Sequence, residues 1–232
     1  PACNDREPTT LTSREGSFTG AASVDLQLRC GDVTVTTGSG NTWRLETGNG
    51  SGMAAVVDAT ANRLSVSSSF AEHPFVFVRG SDTWRLTLPV ANRMDLAATV
   101  DAGRGRFDLA DAEFGTVDLI VNGGEAHADL TAATLDRLTT HVNGGAAWLT
   151  LPADDFTADL AVNAGALRIC APSDLGLRFS SEGSLTAVTY DGLARSGSTW
   201  QSPTYATAIH HADVTISANV ASVDVNPMGG CK

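Results

Sequence analysis

The sequence feature that most constrains the fold is a four-residue motif that recurs at nearly constant spacing. Its copies are Val100-Asp101-Ala102-Gly103, Val121-Asn122-Gly123-Gly124, Val142-Asn143-Gly144-Gly145 and Val162-Asn163-Ala164-Gly165. The copies begin 20 or 21 residues apart, and each is followed by a run that alternates apolar and polar residues. A fixed period in this range is typical of stacked supersecondary units.

Each unit is predicted to be a strand, a tight glycine turn and a second strand. One unit is too small to be stable alone, so neighbouring units would share one core. The sequence therefore predicts an all-β fold, a single β-solenoid of roughly 20–21-residue rungs with disulfide-tethered ends. The alternative is a β-sandwich whose hairpins are regular by accident.

The motif also assigns roles to individual positions. The valines would form an inward column, and the stacked asparagines could form a hydrogen-bonded ladder. The turn residues are expected to tolerate positive φ or to leave little steric bulk. They are Asn122, Gly124, Asn143, Gly145, Asn163 and Gly165.

We interpret residues 1–232 as one β-solenoid domain, with less regular rungs over 1–99 and regular rungs over 100–225. In the N-terminal part, Thr42-Trp43-Arg44-Leu45 recurs as Thr83-Trp84-Arg85-Leu86, 41 residues later, which indicates about two rungs. Both ends of such a stack are strand edges that invite aggregation unless they are capped.

The cysteines are Cys3, Cys30, Cys170 and Cys231, and they form no CxxC pair. Four spread cysteines predict two disulfides in an oxidising compartment. Among the possible connectivities we favour Cys3–Cys30 and Cys170–Cys231, because each would tie a terminus to the body. The alternatives are buried free thiols and a lipid anchor at Cys3, since Ala2-Cys3 has the small-residue–cysteine pattern of a lipoprotein junction.

Composition narrows the function classes. The chain has 15 Lys+Arg against 26 Asp+Glu, a net charge of −11, which argues against a nucleic-acid partner. An apolar fraction of 42% is too high for a disordered chain. No apolar run approaches the roughly 18 residues of a membrane helix. The opening Pro1-Ala2-Cys3 contains no signal peptide, as expected of a mature exported protein.

The search for catalytic chemistry finds no nucleophile elbow, Walker A loop, HExxH or dinucleotide fingerprint. We therefore predict no enzyme, no catalytic residue and no cofactor. Asp108 and Asp129 lie one period apart and could hold calcium or a substrate, although an outward polar row is more usual. His210 and His211 could bind a metal, but no carboxylate or cysteine lies nearby at ligand spacing, so no metal site is predicted.

A possible binding strip is formed by Trp43, Arg44, Trp84 and Arg85, because each indole precedes an arginine in the same local sequence. Aromatic and arginine side chains in one row suit sugars or a protein hot spot. The alternative, which we favour, is that the indoles fill the core or plug its ends.

Taken together, these patterns resemble the bacterial toast-rack or putative-adhesin group of β-solenoid envelope domains. The resemblance covers most of the chain, and its motifs are structural. It is carried by Ser17-Phe18, by Leu26 to Val35, by the repeats from Val100 to Ile169, by Gly192-Leu193 with Trp200 to Ala208, and by Val214 to Val225. The resemblance implies an extracytoplasmic, often membrane-tethered protein that acts in adhesion, scaffolding or envelope-stress sensing.

Three functions follow in order of preference. The first is a non-enzymatic exported binding or scaffolding protein, an accessory structural subunit docked by protein contacts on the outer, periplasmic side of a bacterial membrane assembly. The second is a surface adhesin or envelope-stress sensor that recognises glycan or protein. The third is a carbohydrate-active β-helix enzyme, which would need clustered carboxylates.

Overall fold

The computed structural model describes residues 11–50, 54–69, 81–182 and 186–226. Every regular element in these ranges is a β-strand, so the predicted all-β class is confirmed. The strands of the first half are β1 (Leu11–Ser17), β2 (Ala22–Leu28), β3 (Gly31–Gly38), β4 (Thr42–Asn49), β5 (Val56–Thr60), β6 (Arg63–Ser67), β7 (Asp82–Pro89), β8 (Met94–Val100) and β9 (Gly103–Asp108). Those of the second half are β10 (Glu113–Val121), β11 (Gly124–Asp129), β12 (Thr134–Val142), β13 (Ala146–Thr150), β14 (Phe156–Cys170), β15 (Gly176–Glu182), β16 (Thr186–Tyr190), β17 (Ala194–Ser196), β18 (Thr199–Gln201) and β19 (His211–Val225).

The strands pair in two ladders that face each other across the core. Ladder A runs β5–β6–β2–β8–β10–β12, then the first halves of β14 and β19, then β15, β18 and β17. Ladder B runs β1–β4–β7–β3–β9–β11–β13, then the second halves of β14 and β19, then β16. One coil is a ladder A strand followed by a ladder B strand.

The predicted repeat is confirmed over β8 to β14. Glu113 faces Thr134, 21 residues later, and Arg137 faces Thr157, 20 residues later, in parallel pairs. The ladder B strands keep the same offsets, since Glu125 faces Ala146. Parallel pairing at this offset stacks equivalent residues of successive coils directly over one another.

The two ends of the stack depart from sequential order. The first coil, β2 and β3, lies between the coil of β6 and β7 and the coil of β8 and β9. The last long strand, β19, lies between β14 and the pair β15 and β16. At both ends of the stack, the order of the coils therefore differs from their order in the sequence.

Antiparallel strands cover the end coils. β5 pairs with β6, β4 pairs with β7, and β1 pairs with β4 at one end. β18 pairs with β15 and β17 with β18 at the other. The 41-residue recurrence of Thr-Trp-Arg-Leu therefore marks an antiparallel pair, β4 with β7, and not two stacked copies as the sequence suggested.

The core is a set of columns between the ladders. The valines of the motif, Val100, Val121, Val142 and Val162, are all buried and in register, as predicted. Leu109, Leu130 and Leu151 fill the opposite corner, and all three are fully buried. The buried apolar residues form one cluster that extends from Phe18 to Val225.

Glycine is required at the tight corner between the ladders. Gly124 and Gly145 have φ of +134° and +103°. A Cβ on Gly145 would lie 2.1 Å from the carbonyl oxygen of Gly124, and a Cβ on Gly124 would lie 2.2 Å from that of Gly103. The backbone of one coil thus occupies the space that a side chain of the next would need. Gly165 has the same geometry. Asn122, Asn143 and Asn163 do not adopt positive φ, so at these corners the left-handed backbone is taken by glycine and not by asparagine.

The asparagines beside this corner form the predicted ladder, and it is longer than expected. Asn143 donates to Asn122 and Asn163 donates to Asn143, each at 2.7 Å between Nδ2 and Oδ1. Asn219 extends the ladder with a bond of 2.9 Å to Asn163. Asn122 donates to the carboxylate of Asp101 at 2.7 Å, so the chain of amides ends on a charged acceptor.

Substituting Gly145 with Ala should destabilise the protein by about 3 kcal/mol or more, since strained φ alone costs about 1–3 kcal/mol and a carbonyl blocks the Cβ. Gly40→Ala is the matched control, because Gly40 has φ of +90° with no atom within 4 Å of its Cβ position. Urea denaturation should give a clearly smaller loss for the control. Equal losses would contradict the close approach of the coils.

Asn143→Ala should cost about 1 kcal/mol, because it removes both a ladder donor and a ladder acceptor. Asn219→Ala removes a donor at the end of the ladder and should cost less. Chemical denaturation of both variants measures the difference. A larger loss for the terminal asparagine would show that the ladder does not act as a connected chain.

Candidate functional site

The binding strip predicted around Trp43 and Trp84 does not form. Trp43 is 4% exposed and Trp84 is fully buried, as the alternative interpretation expected. Arg44 and Arg85 do not align, because the antiparallel register places Arg44 opposite Thr87 and Arg85 opposite Glu46. The two arginines pair instead with Glu15 and Glu46, at 3.4 and 3.8 Å.

A different row of aromatic and basic side chains lies on the outer face of ladder B. Successive strands place Arg106, His127, Trp148 and Arg168 in one register. Each alternates with buried neighbours, so all four side chains point outward. We call this row the ridge. With parallel strands about 4.8 Å apart, its four members span about 14 Å across the strands.

The centre of the ridge is an aromatic pair. The rings of His127 and Trp148 are stacked, with centroids 4.2 Å apart and planes 3° from parallel. The stacking follows from the register, since neighbouring parallel strands bring equivalent side chains within ring contact. One face of Trp148 therefore contacts His127, and the other is directed towards the coil that carries Arg168.

The guanidinium groups at the two ends of the ridge lack acidic partners. Within the described ranges, neither Arg106 nor Arg168 has a carboxylate within 4.0 Å. On ladder A, by contrast, Arg137 pairs with Asp159, and Arg178 pairs with Asp213 at 2.6 Å. Unpaired guanidiniums in a chain of net charge −11 keep their donors available for a ligand.

Both flanks of the ridge carry polar or small groups. Three carboxylates lie two positions along the strands from Arg106 or His127: Glu125, Asp108 and Asp129. Three small residues lie two positions before outward-facing ones: Ala146 before Trp148, Ala166 before Arg168, and Ser222 before Asp224 on the next strand. Together they form a shallow trough. The ridge therefore offers hydrogen-bond donors and acceptors together beside an aromatic surface.

The environment of His127 keeps its ring neutral at physiological pH. Burial against its neighbours lowers the pKa of His127 below the ordinary value of 6.5, and the charge of Arg106 lowers it further. The carboxylate of Glu125 opposes this effect. At neutral pH the ridge thus has an uncharged aromatic centre between two cations.

The expectation that no carboxylate lies near His210 is wrong. The Nδ1 of His210 lies 3.4 Å from Asp155 and 3.9 Å from Asp154, because the loops before β14 and β19 become neighbours when these strands pair. The side chains offer one nitrogen and two carboxylates within 4.8 Å. Asp155 also accepts the backbone N–H of His211 at 2.7 Å, and this hydrogen bond is the main cause of its lowered pKa.

The other sequence candidates do not build a reactive site. Asp108 and Asp129 are in register, but both are exposed, and Asp129 accepts a hydrogen bond from the Thr131 N–H at 3.0 Å. A cavity of about 660 Å³ opens between β1 and β5, with Arg14, Glu15 and Asp58 among its lining residues. Its one carboxylate–cation contact joins Glu15 to Arg44, a surface ion pair.

The structure tests the predicted disulfides only at the two cysteines that it describes. Cys30 and Cys170 are disulfide-bonded, and the described residues include no free cysteine. Cys3 and Cys231 lie outside the described residues. The connectivity, the tethering of the ends and the lipid anchor at Cys3 therefore stay predictions.

Sequence reasoning missed the ridge although a signal for it exists. Each of its residues follows the valine of its repeat by six positions, so an alignment of the four copies places them in one column. The predictions covered the turns, the core positions and the outward pair Asp108 and Asp129, but not the column that contains the ridge. The cluster around His210 had no such signal, because its residues are 55 positions apart.

Comparisons with solved structures find several bacterial proteins that match most of the chain. A putative cell adhesion protein from Clostridium sporogenes ATCC 15579 matches with a TM-score of 0.61 and 14% identity over 93% of this chain and 99% of its own. A putative adhesin from Bacteroides fragilis NCTC 9343 matches with a TM-score of 0.36 and 12% identity over 94% and 97%. A putative lipid binding protein from Parabacteroides distasonis ATCC 8503 gives 0.38 and 8% over 94% and 97%.

The first of these matches confirms the fold of the adhesin-type group that the sequence resembles. No protein-family model matches the chain, and no curated protein matches it. Among the described residues, no helix is long and apolar enough to cross a membrane.

The lowered pKa of His127 should make stability depend on pH. The folded state binds this proton less readily than the unfolded chain, so stability should fall as pH drops below about 6.5. His127→Phe keeps a ring against Trp148 and should lose less stability between pH 7.5 and about 5.5 than the wild type. Urea denaturation at both pH values measures the difference.

The matched control is His141→Phe, which changes an exposed histidine on ladder A. It should leave the pH dependence of the wild type unchanged. If His127→Phe behaved in the same way as this control, His127 would not be the group responsible.

Proposed function

We propose that the protein is an exported, non-enzymatic binding protein that contacts a macromolecular partner through the outer face of ladder B. The ridge carries this proposal. It presents an outward-facing aromatic pair, exposed at His127 and partly exposed at Trp148, between two arginines that have no ion-pair partner among the described residues. Such side chains dominate recognition surfaces when they are held rigidly.

The backbone beneath the ridge supplies that rigidity. Its four residues lie on adjacent strands whose hydrogen-bonded ladder is continuous from β9 to β14. The corner glycines and the asparagine ladder hold the same coils at fixed spacing. The ligand-contacting groups are therefore arranged before binding, which reduces the entropy cost of association.

The adhesin-type version of this function has the best support. The solved structure that shares the fold at a TM-score of 0.61 is named as a cell adhesion protein. That name describes adhesion and not catalysis, which supports a role without catalysis. The disulfide-bonded Cys30 and Cys170 favour an oxidising compartment, at the cell surface or in the periplasm of a bacterium.

An accessory subunit docked on the outer side of a membrane assembly is the second candidate. The composition of the ridge favours it, because Trp and Arg are enriched in protein hot spots. A stoichiometric complex in mild detergent that dissociates when the ridge is altered would support this role. Binding to purified envelope polysaccharide without any protein would exclude it.

We also propose that residues 1–232 form one β-solenoid domain. The single buried cluster from Phe18 to Val225 and the shared register of β8 to β14 support it. Disulfides from Cys30 and Cys170 to the two terminal cysteines would tether segments outside the described residues to this body.

The binding role predicts a specific sensitivity to the ridge. Arg106→Ala combined with Arg168→Ala should reduce binding of the purified protein to the cell-envelope fraction of its own bacterium by roughly tenfold or more, as loss of central binding residues does. Co-sedimentation with the envelope fraction, followed by quantification of the bound protein, measures this effect.

Arg14→Ala combined with Arg63→Ala is the matched control, since it removes two exposed arginines away from ladder B's ridge. This control should bind as the wild type does. Equal binding by the ridge variant, the control and the wild type would overturn the assignment of the ridge as the binding surface.

A further inference from the structure

We propose that the ridge binds a neutral glycan chain that lies along the row from Arg106 to Arg168. This inference rests on the binding role proposed above and names the chemical class of the ligand. It follows from four observations: an outward aromatic pair, hydrogen-bond donors and acceptors side by side, the length of the ridge, and the absence of large exposed apolar side chains from the described residues of the ridge.

The outward edges of the aromatic pair provide the first contact. The rings of His127 and Trp148 are stacked along the row, so a ligand that lies along the ridge meets both ring edges. Ala146 and Ala166, beside Trp148 and Arg168, leave the side of this pair accessible from the trough. The apolar C–H groups of a pyranose ring can pack against such a surface while its hydroxyls hydrogen-bond to the neighbouring polar side chains.

The charges select a polyhydroxyl ligand over an anionic one. Arg106 and Arg168 can donate hydrogen bonds to a ligand, and Glu125, Asp108 and Asp129 in the same patch can accept hydrogen bonds from it. Asp224 lies in register with Arg168 on the next strand. The carboxylates outnumber the guanidiniums, so a polyanion would be repelled, whereas sugar hydroxyls can both donate to the acids and accept from the arginines.

The dimensions favour a chain over a single small molecule. The ridge is an open row about 14 Å long on a sheet surface, and only an extended ligand can contact all four side chains. The described cavity lies elsewhere, between β1 and β5. A ligand that crosses the strands would contact Arg106, the aromatic pair and Arg168 in sequence.

The surroundings of the ridge argue against a protein surface as occupant. A protein interface needs a desolvated apolar core around its hot-spot residues. The large apolar side chains that the described residues leave exposed are Leu11, Val56, Ile209 and Val220, and none belongs to the ridge. The polar and small side chains that border the ridge suit the hydrated interface of a sugar.

The test uses the full chain with its disulfides intact and three neutral polysaccharides as probes: laminarin, dextran and galactomannan. Polygalacturonate is the acidic comparator. Affinity gel electrophoresis should show retardation by at least one neutral probe, little effect of salt, and no stronger retardation by polygalacturonate. Trp148→Ala should weaken the retardation by roughly tenfold or more, whereas Trp148→Phe should keep most of it.

Thermal denaturation first establishes that each variant is folded, and the Arg14→Ala/Arg63→Ala protein again serves as the control. Retardation by none of the neutral probes, stronger retardation by the acidic probe, or equal binding by Trp148→Ala would each overturn the glycan assignment. If glycan binding fails while binding to the envelope fraction still depends on Arg106 and Arg168, the ligand class is wrong and the binding role stands. If neither depends on the ridge, both proposals fall.

Discussion

The structure depends on the close approach of consecutive coils at one corner. There the carbonyl oxygen of one glycine lies where the next glycine would carry a Cβ, at 2.1 Å for Gly145 over Gly124. Only a residue without a side chain permits both this distance and the positive φ that turns the chain from one ladder to the other. The parallel register, the valine column and the asparagine ladder all follow from that spacing.

The asparagine ladder shows how this corner is completed on its exposed side. Each amide donates to the one before it, so the dipoles align along the stack, and Asp101 accepts the last bond with a full charge. The coil that neighbours Asp101 on this side contains β2, in which Leu28 pairs with Val100. Arg29 follows Leu28 and therefore occupies the position that corresponds to Asp101. A cation thus follows the anionic end of the ladder in the stacking order.

The central coils could be predicted from the sequence because every copy of the motif there has a glycine at the tight corner and a valine directed into the core. The sequence pattern alone predicts the inward valines and the turns that contain Asn122, Asn143 and Asn163. The order of the end coils could not be predicted, because their strands pair with strands that are distant in the sequence. Trp43 and Trp84 show the difference: identical local sequences face each other in an antiparallel pair, and their indoles belong to the core. The ridge was predictable in principle, whereas the contact of His210 with Asp155 required knowledge that β14 and β19 are neighbours.

The inserted positions of the first and last coils determine where such a protein can change in length. A coil added directly beside β2 or β19 would have to displace a neighbour, because both strands already pair on either side. Between β9 and β14 equivalent corners meet, so an inserted coil would find matching turns on both sides. Internal duplication there would lengthen the row of outward side chains by one position for each coil added.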